Sequence, residues 1–529
     1  MKKKSIFCAL LCLPLVFGFA ACGETGSDDP DSPSGGSKGS INIHYMAGGF
    51  SSDSNKLISA DYKALTGVTV NWRPSYSQGE IQQLLNSDQE QYDIVMPLLN
   101  MYAAQDAGKL ECLDDVYDAI PDGAEKPIKE RMNQSLYEYF EADDGHRYQM
   151  VAQDSVSALC YNMGTLDEAF GAGEWELPRT TKELIDMSYQ LKAKGYYAFT
   201  TATAINYYWD YLGIVWWAQY EGLESFNNFY EGKYWNETSS SWEIGPQIND
   251  AKGREIALET LSTVMSSKNG LMHARSANMD FKNAQRTFLN NGFVNDKTKV
   301  AFMVNGDWLE NEMSSALVAN PQEIRMMRAP VVSELATKLQ SVGTEANLTA
   351  IVKAVDEGKS YEEVKTGDLA NLTEQDFNRV KEARLMVYTA TPNYPVGIPS
   401  YRPAAKKQLA KDFLVYLYSD RAQRIIAKEL KGLSYPSGYD VLSDDGVQVS
   451  KFVESRLTQF GNDKITIFPR NASPLVYRGS LADTPGAGAG IDNSIWSGKT
   501  ATALLADSKQ TISNNWENIV KYLKTDSAD

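Results

Sequence analysis

Histidine and cysteine are scarce. The 529 residues hold three His and five Cys, which leaves little material for a His/Cys metal centre. His44, His146 and His273 stand far apart, and neither H-E-x-x-H nor G-x-S-x-G occurs, so no zinc-protease or nucleophile-elbow motif is present. Basic charge is also in deficit: 51 Lys and Arg against 68 Asp and Glu give a formal charge of −17. That balance opposes nucleic-acid binding, because phosphates demand Lys and Arg. The longest apolar run, Ile6 to Ala21, is roughly 16 residues, short of the ~20 that a membrane-spanning helix needs. What remains is a chain of ordinary globular composition, 43% hydrophobic and 22% charged, with 10 Trp and 29 Tyr, many of them clustered. Its length allows two lobes or more.

The N-terminus sets the expected compartment. Lys2, Lys3 and Lys4 precede the apolar run, which ends Phe19-Ala20-Ala21-Cys22. This resembles the lipobox of bacterial lipoproteins, with Phe19 where Leu is usual. Residues 1–21 then read as a signal peptide and Cys22 as the lipidation site; the alternative is an ordinary signal cut with Cys22 incidental. Residues 22–39, rich in Gly, Ser, Pro and Asp, read as a flexible tether. Loss of the signal takes the charge from −17 to −20. Of the remaining cysteines, Cys112 and Cys160 either pair in an oxidising exterior or stay as separate buried thiols.

The body has an α/β rhythm. Strands are expected at Ile41–Met46, Val68–Trp72, Tyr92–Met96, Arg147–Ala152, Ser157–Tyr161, Val300–Val304 and Ile324–Met327. Helices are expected between them, so the sheet is expected to be mainly parallel and doubly wound. Thr180 and Glu183 form a capping box before a helix with apolar face Leu184, Met187 and Leu191. Residues 204–219 form an aromatic helix. Residues 333–384 read as an inserted helical subdomain, and helices follow at Ala405–Tyr418, Asp420–Leu430 and through Ile491–Leu523.

Several blocks, in order, carry a family resemblance: Leu65-Thr-Gly-Val-Thr-Val70; Tyr92-Asp-Ile-Val95 with Gly108-Lys-Leu110; Leu159-Cys-Tyr-Asn162; Lys299-Val-Ala-Phe-Met303 leading into Gly306-Asp-Trp308; Ala410-Lys-Asp-Phe-Leu414 with Ser419-Asp-Arg-Ala-Gln423; and Gly498-x-Thr500. The chain resembles the extracellular solute-binding proteins of ABC importers, the family that includes maltose-binding protein. Thr181 departs from it, standing where Trp is frequent. The resemblance implies two α/β lobes with an interlobe cleft: 40–153 with 395–432, and 154–394 with 433–529. It implies a lipid-anchored, extracytoplasmic and monomeric receptor, held at the membrane through its lipid, that passes a carbohydrate, most simply an oligosaccharide, to permease subunits. It implies no cofactor, no metal and no catalysis.

A sugar offers an apolar face to Trp and Tyr and hydroxyls to Asp, Asn and Gln. Trp308 matches a sugar-stacking family position; its alternative is a core Trp bracing the next helix. Asp307 either accepts hydroxyl bonds or caps that helix. Gln153 and Asp154 fall at a crossing between lobes, and Tyr435 near another. Tyr161 matches a position near the cleft, Phe50 and Ser51 follow the first strand, and Asn100 follows the third. Asn206 and Tyr207 open the aromatic helix. Two other readings stay open. One is a secreted glycosidase, which needs only two carboxylates. The other is a glycan-capturing surface lipoprotein of a non-ABC system, a largely helical class that the strands oppose.

Overall fold

The computed structural model describes residues 38–47, 53–77, 79–98, 100–151, 155–290, 298–388, 395–431, 433, 437–461, 463–467, 473–477, 481, 490–521 and 523. The expected signal peptide and nearly all of the expected tether lie outside these residues. The chain forms two α/β lobes.

In the first lobe, β1 (Ser40–Met46), β2 (Thr69–Ser75) and β3 (Ile94–Met96) form a parallel sheet in the order β2-β1-β3. The helix Asp53–Thr66 follows β1 and buries Ile58 and Tyr62 in the lobe's core, with Tyr62 against Phe413 and Tyr416; Gly67, at φ +78°, turns the chain into β2. A short strand, β4 (Met150–Val151), then leads the chain out of the lobe.

The second lobe holds β5 (Ser157–Asn162), β6 (Tyr197–Thr200), the hairpin β7 (Lys233–Asn236) and β8 (Ser241–Ile244), β9 (Val300–Gly306), β10 (Ile324–Met327) and β11 (Met386–Tyr388). The chain returns to the first lobe through β12 (Pro395–Val396), which pairs antiparallel with β4 and is followed by the helices Ala404–Leu417 and Asp420–Glu429. It then crosses back, and β13 (Ile465–Ile467) joins the second sheet beside β11. One apolar core is built from residues 41–151 and 396–426. The main core of the second lobe draws on residues 159–388 and 467–519. Asn133 Nδ2 spans the two lobes, donating to Lys464 O at 3.0 Å.

The second sheet is mixed, whereas a mainly parallel sheet is the expectation from the strand–helix rhythm. β5 runs antiparallel to β9, β10 and β11, while β6 runs parallel to β9 and β13 to β11. The reason is entry: β5 is the strand by which the chain arrives from the first lobe, so it runs away from the crossing, and its partners run towards it. β12 stands in the same relation to β3 and β4, with Gly397 bridging antiparallel to Val95.

Thr180 caps the helix Thr181–Ala193 by accepting from Glu183 N at 3.3 Å. The reciprocal bond goes one residue further back, from Arg179 N to Glu183 Oε2 at 2.7 Å. The helical insertion shares the second lobe's core through Leu348, Ile351, Phe377 and Val380. Gln219 of the aromatic helix clasps it, donating to Ala383 O at 3.0 Å and accepting from Val332 N at 3.2 Å. Cys112 and Cys160 are both free thiols: Cys112 is half-buried in the first lobe, and Cys160 is buried in β5 of the second.

Candidate functional site

Register locates the cleft. Ser157, where the chain enters the second lobe, pairs with Gly306 at the end of β9 and with Tyr388 at the end of β11. The strand ends of that sheet therefore gather where the chain crosses. In the first lobe, Pro395 pairs with Val151, and Gly397 with Val95, so the C-terminal ends of β3 and β4 also gather at the crossing. Both lobes turn strand C-termini towards one another, the place where open α/β sheets bind ligands.

On the second lobe, β9 is buried along its whole length and ends Gly306-Asp307-Trp308. Trp308 is half-buried, and its indole folds back over Gly306. A Cβ on Gly306 would lie 2.2 Å from the ring, so only glycine lets the indole rest there. Asp307 is buried: its Oδ2 accepts from Val156 N at 3.0 Å and stands 3.4 Å from Arg456 Nε. Its amide donates to Val156 O at 3.0 Å. It latches the incoming chain to the end of β9. The helix Leu309–Glu312 has Trp308 at its N-cap position with no side-chain cap.

The aromatic segment opens with Asn206 and Tyr207, passes through a π-helical turn at Trp209–Gly213 and continues as the helix Ile214–Glu221. The Asp492 carboxylate pins its start, accepting from Tyr208 N at 2.9 Å and Trp209 N at 3.0 Å, while Asn206 Oδ1 accepts from Asp492 N at 3.5 Å. Burial pushes the Asp492 carboxyl up to about 8, against the opposing pull of those two amides. Trp209, Trp216 and Trp217 are fully buried. Tyr207 remains half-buried, and a row of rings runs from it: Tyr211 at 5.4 Å, then Tyr388 a further 5.1 Å on. Burial, with the nearby Glu312 carboxylate adding to it, pushes the Tyr207 phenol up to about 12. Glu312, itself raised by burial, accepts from Gln285 Nε2 at 2.7 Å.

On the first lobe, half-buried Asn100 follows β3. Buried Gln149 fixes the next turn, accepting from Met101 N at 2.8 Å and donating to Gln105 Oε1 at 2.9 Å. Beside it lies a cavity of about 220 Å³ lined by Tyr102, Gln105, Asp144 and Tyr148 of the first lobe and Pro474 of the second. The Tyr148 hydroxyl, donating at 2.7 Å, holds the Asp144 carboxyl below its usual range.

Of the residues singled out from sequence, Trp308, Asp307 and Asn100 stand at the facing strand ends. Asn206 and Tyr207 open the aromatic segment, and the ring row that starts at Tyr207 ends at Tyr388, the last residue of β11. Tyr161 stands four residues along β5 from Ser157, about 13 Å away, buried edge-on to Trp175. Phe50, Ser51, Gln153, Asp154, Tyr435 and Cys22 lie outside the described residues. Sequence reasoning passed over Tyr211 and Tyr388. The first was legible as i+4 from Tyr207 on one helical face; the second had no local signal beyond its place before a crossing.

A family model described as bacterial extracellular solute-binding protein matches residues 49–424. No curated protein matches the chain. The match spans most of the sequence, so the chain belongs to that family.

Proposed function

We propose that this bacterial extracellular solute-binding protein is the receptor of a carbohydrate importer, tethered by a lipid on Cys22 and delivering an oligosaccharide to its permease without altering it. Family membership implies a small-molecule ligand met outside the cytoplasm and an ABC permease as partner. No helix among the described residues is long and apolar enough to cross a membrane.

The observation that carries the carbohydrate reading is Trp308. It is a half-buried indole, backed by Gly306, at the crossing end of the second sheet. A flat ring held this way suits the C–H face of a pyranose. Tyr207 extends the aromatic surface, and Glu312, Asn206 and, across the cleft, Asn100 supply polar groups for hydroxyls. Gln153, Asp154, Phe50, Ser51 and Tyr435 are proposed as further ligand contacts from the sequence alone. Asp307 serves it indirectly, by fixing the crossing. A ligand that touches both lobes favours their closed arrangement, which is the signal a permease reads.

The test is a thermal-shift screen of the purified chain against oligosaccharides, monosaccharides and peptides. A ligand that binds only the native state raises the melting temperature. The reading requires an oligosaccharide among the stabilising compounds, recovered intact after incubation. Stabilisation by peptides alone, or recovery of cleaved sugar, contradicts it.

A further inference from the structure

We propose that Cys112, Asp114 and His146 form a binding site for one divalent transition ion of the zinc class. Of the three histidines, His44 and His273 are buried. Of the two cysteines among the described residues, Cys160 is buried. Among the described residues, the histidine and the cysteine that are not buried are therefore residues 146 and 112, far apart in sequence. The fold nevertheless brings them together around Asp114: the sulfur, a carboxylate oxygen and a ring nitrogen all lie within 4.8 Å of one another.

The backbone holds this convergence. Leu113 N donates to Arg147 O at 2.8 Å, and Arg147 N returns a bond to Asp114 Oδ1 at 2.9 Å. The turn that presents His146 is closed by Ala142 N to His146 O at 2.9 Å and by His146 N to Asp144 Oδ1 at 3.0 Å. His146 Nδ1 lies 2.6 Å from Asp114 Oδ2.

A thiolate, an imidazole and a carboxylate form a donor set suited to zinc rather than to magnesium or calcium, which take oxygen. Bonds of about 2.0–2.3 Å in a tetrahedron put neighbouring donors roughly 3.3–3.8 Å apart. Reaching that geometry opens the His146–Asp114 contact and draws in the widest pair, each by about 1 Å. His146, with 55% of its side chain exposed, is free to make that adjustment. The Arg147 amide on the second Asp114 oxygen supplies the outer hydrogen bond that orients a ligating carboxylate. Three protein donors leave the fourth position to water. Asp144 and Tyr148, on either side of His146, line the interlobe cavity, so an ion here stiffens one wall of it.

The experiment is a calorimetric titration of the reduced, chelator-stripped full chain, carrying no histidine tag, with Zn²⁺ alone. One ion per chain is expected, with affinity falling at least tenfold in Cys112→Ser and in His146→Ala, and no saturable heat with Mg²⁺ or Ca²⁺. Co²⁺ is expected to give a sulfur-to-metal charge-transfer band that Cys112→Ser removes. Circular dichroism establishes that the variants fold; His146→Ala, at an exposed side chain, serves if Cys112→Ser does not. Absence of saturable Zn²⁺ binding by the wild type, or binding that the folded variants retain, overturns the proposal.

Discussion

Replacing Trp308 by alanine separates a binding role from a packing role. A pyranose lying on one indole face removes about 80 Å² of apolar surface from water, worth about 2 kcal/mol at about 25 cal/mol per Å². Trp308→Ala is therefore expected to weaken oligosaccharide binding about thirtyfold. The geometry provides a second variant that leaves the indole in place. In Gly306→Ala the new methyl occupies the space 2.2 Å from the ring, so the indole must swing away from its seat and affinity falls by a comparable factor. Trp308→Phe keeps a smaller face and falls between. Isothermal titration with the best ligand of the screen, paired with thermal melts of the unliganded variants, reads both effects. If Trp308→Ala lowers the melting temperature and leaves Kd unchanged, the residue is a brace for the helix after β9, and the stacking argument is refuted.

Asp307→Ala removes one member of a buried pair and leaves Arg456, whose side chain is 4% exposed, without that carboxylate; a loss of roughly 3 kcal/mol in urea denaturation is expected, and a change under about 0.5 kcal/mol contradicts the latch. The carboxyl of Asp492 is raised in the folded state from its ordinary 3.8 to about 8. Its contribution to stability is therefore present below its ordinary value and lost as pH rises from about 4 through about 8. Wild type should lose stability relative to Asp492→Asn between about pH 4 and about pH 8, and parallel urea midpoints across that range would contradict this. Gly213→Ala places a methyl 2.6 Å from Leu261 and 2.7 Å from the Trp209 ring, so the π-helical turn is expected to lose about 1–3 kcal/mol; an unchanged melting temperature would show that the turn relaxes freely.

Much of the first lobe's parallel sheet was legible, because β1, β2 and β3 are short and each is separated from the next by a single helix. β4 was not: Arg147 to Ala152 read as one strand, yet among the described residues of that span Met150 and Val151 alone pair with β12. Arg147 is taken instead by the turn at Leu113, whose amide bonds its carbonyl. β11 and β13 are three residues each, too short for any period to show. The hairpin at 233–244 was missed because its turn carries no Gly; Asn236 Oδ1 shapes it by accepting from Thr238 N at 2.9 Å. At the cleft, Trp308 was visible as an aromatic residue just past a buried strand. The engagement of Asp307 with Val156 and Arg456 was not, because the partners lie about 150 residues away on either side. Cys112 and His146 were invisible as a pair for the same reason: spacing along the chain says nothing about two loops that the fold places side by side.

The central claim is that a solute sits between the lobes and draws them together. Small-angle scattering of the chain, alone and saturated with the oligosaccharide that stabilises it most, measures this directly. The account predicts a smaller radius of gyration in the saturated sample; a profile unchanged at full occupancy would contradict it.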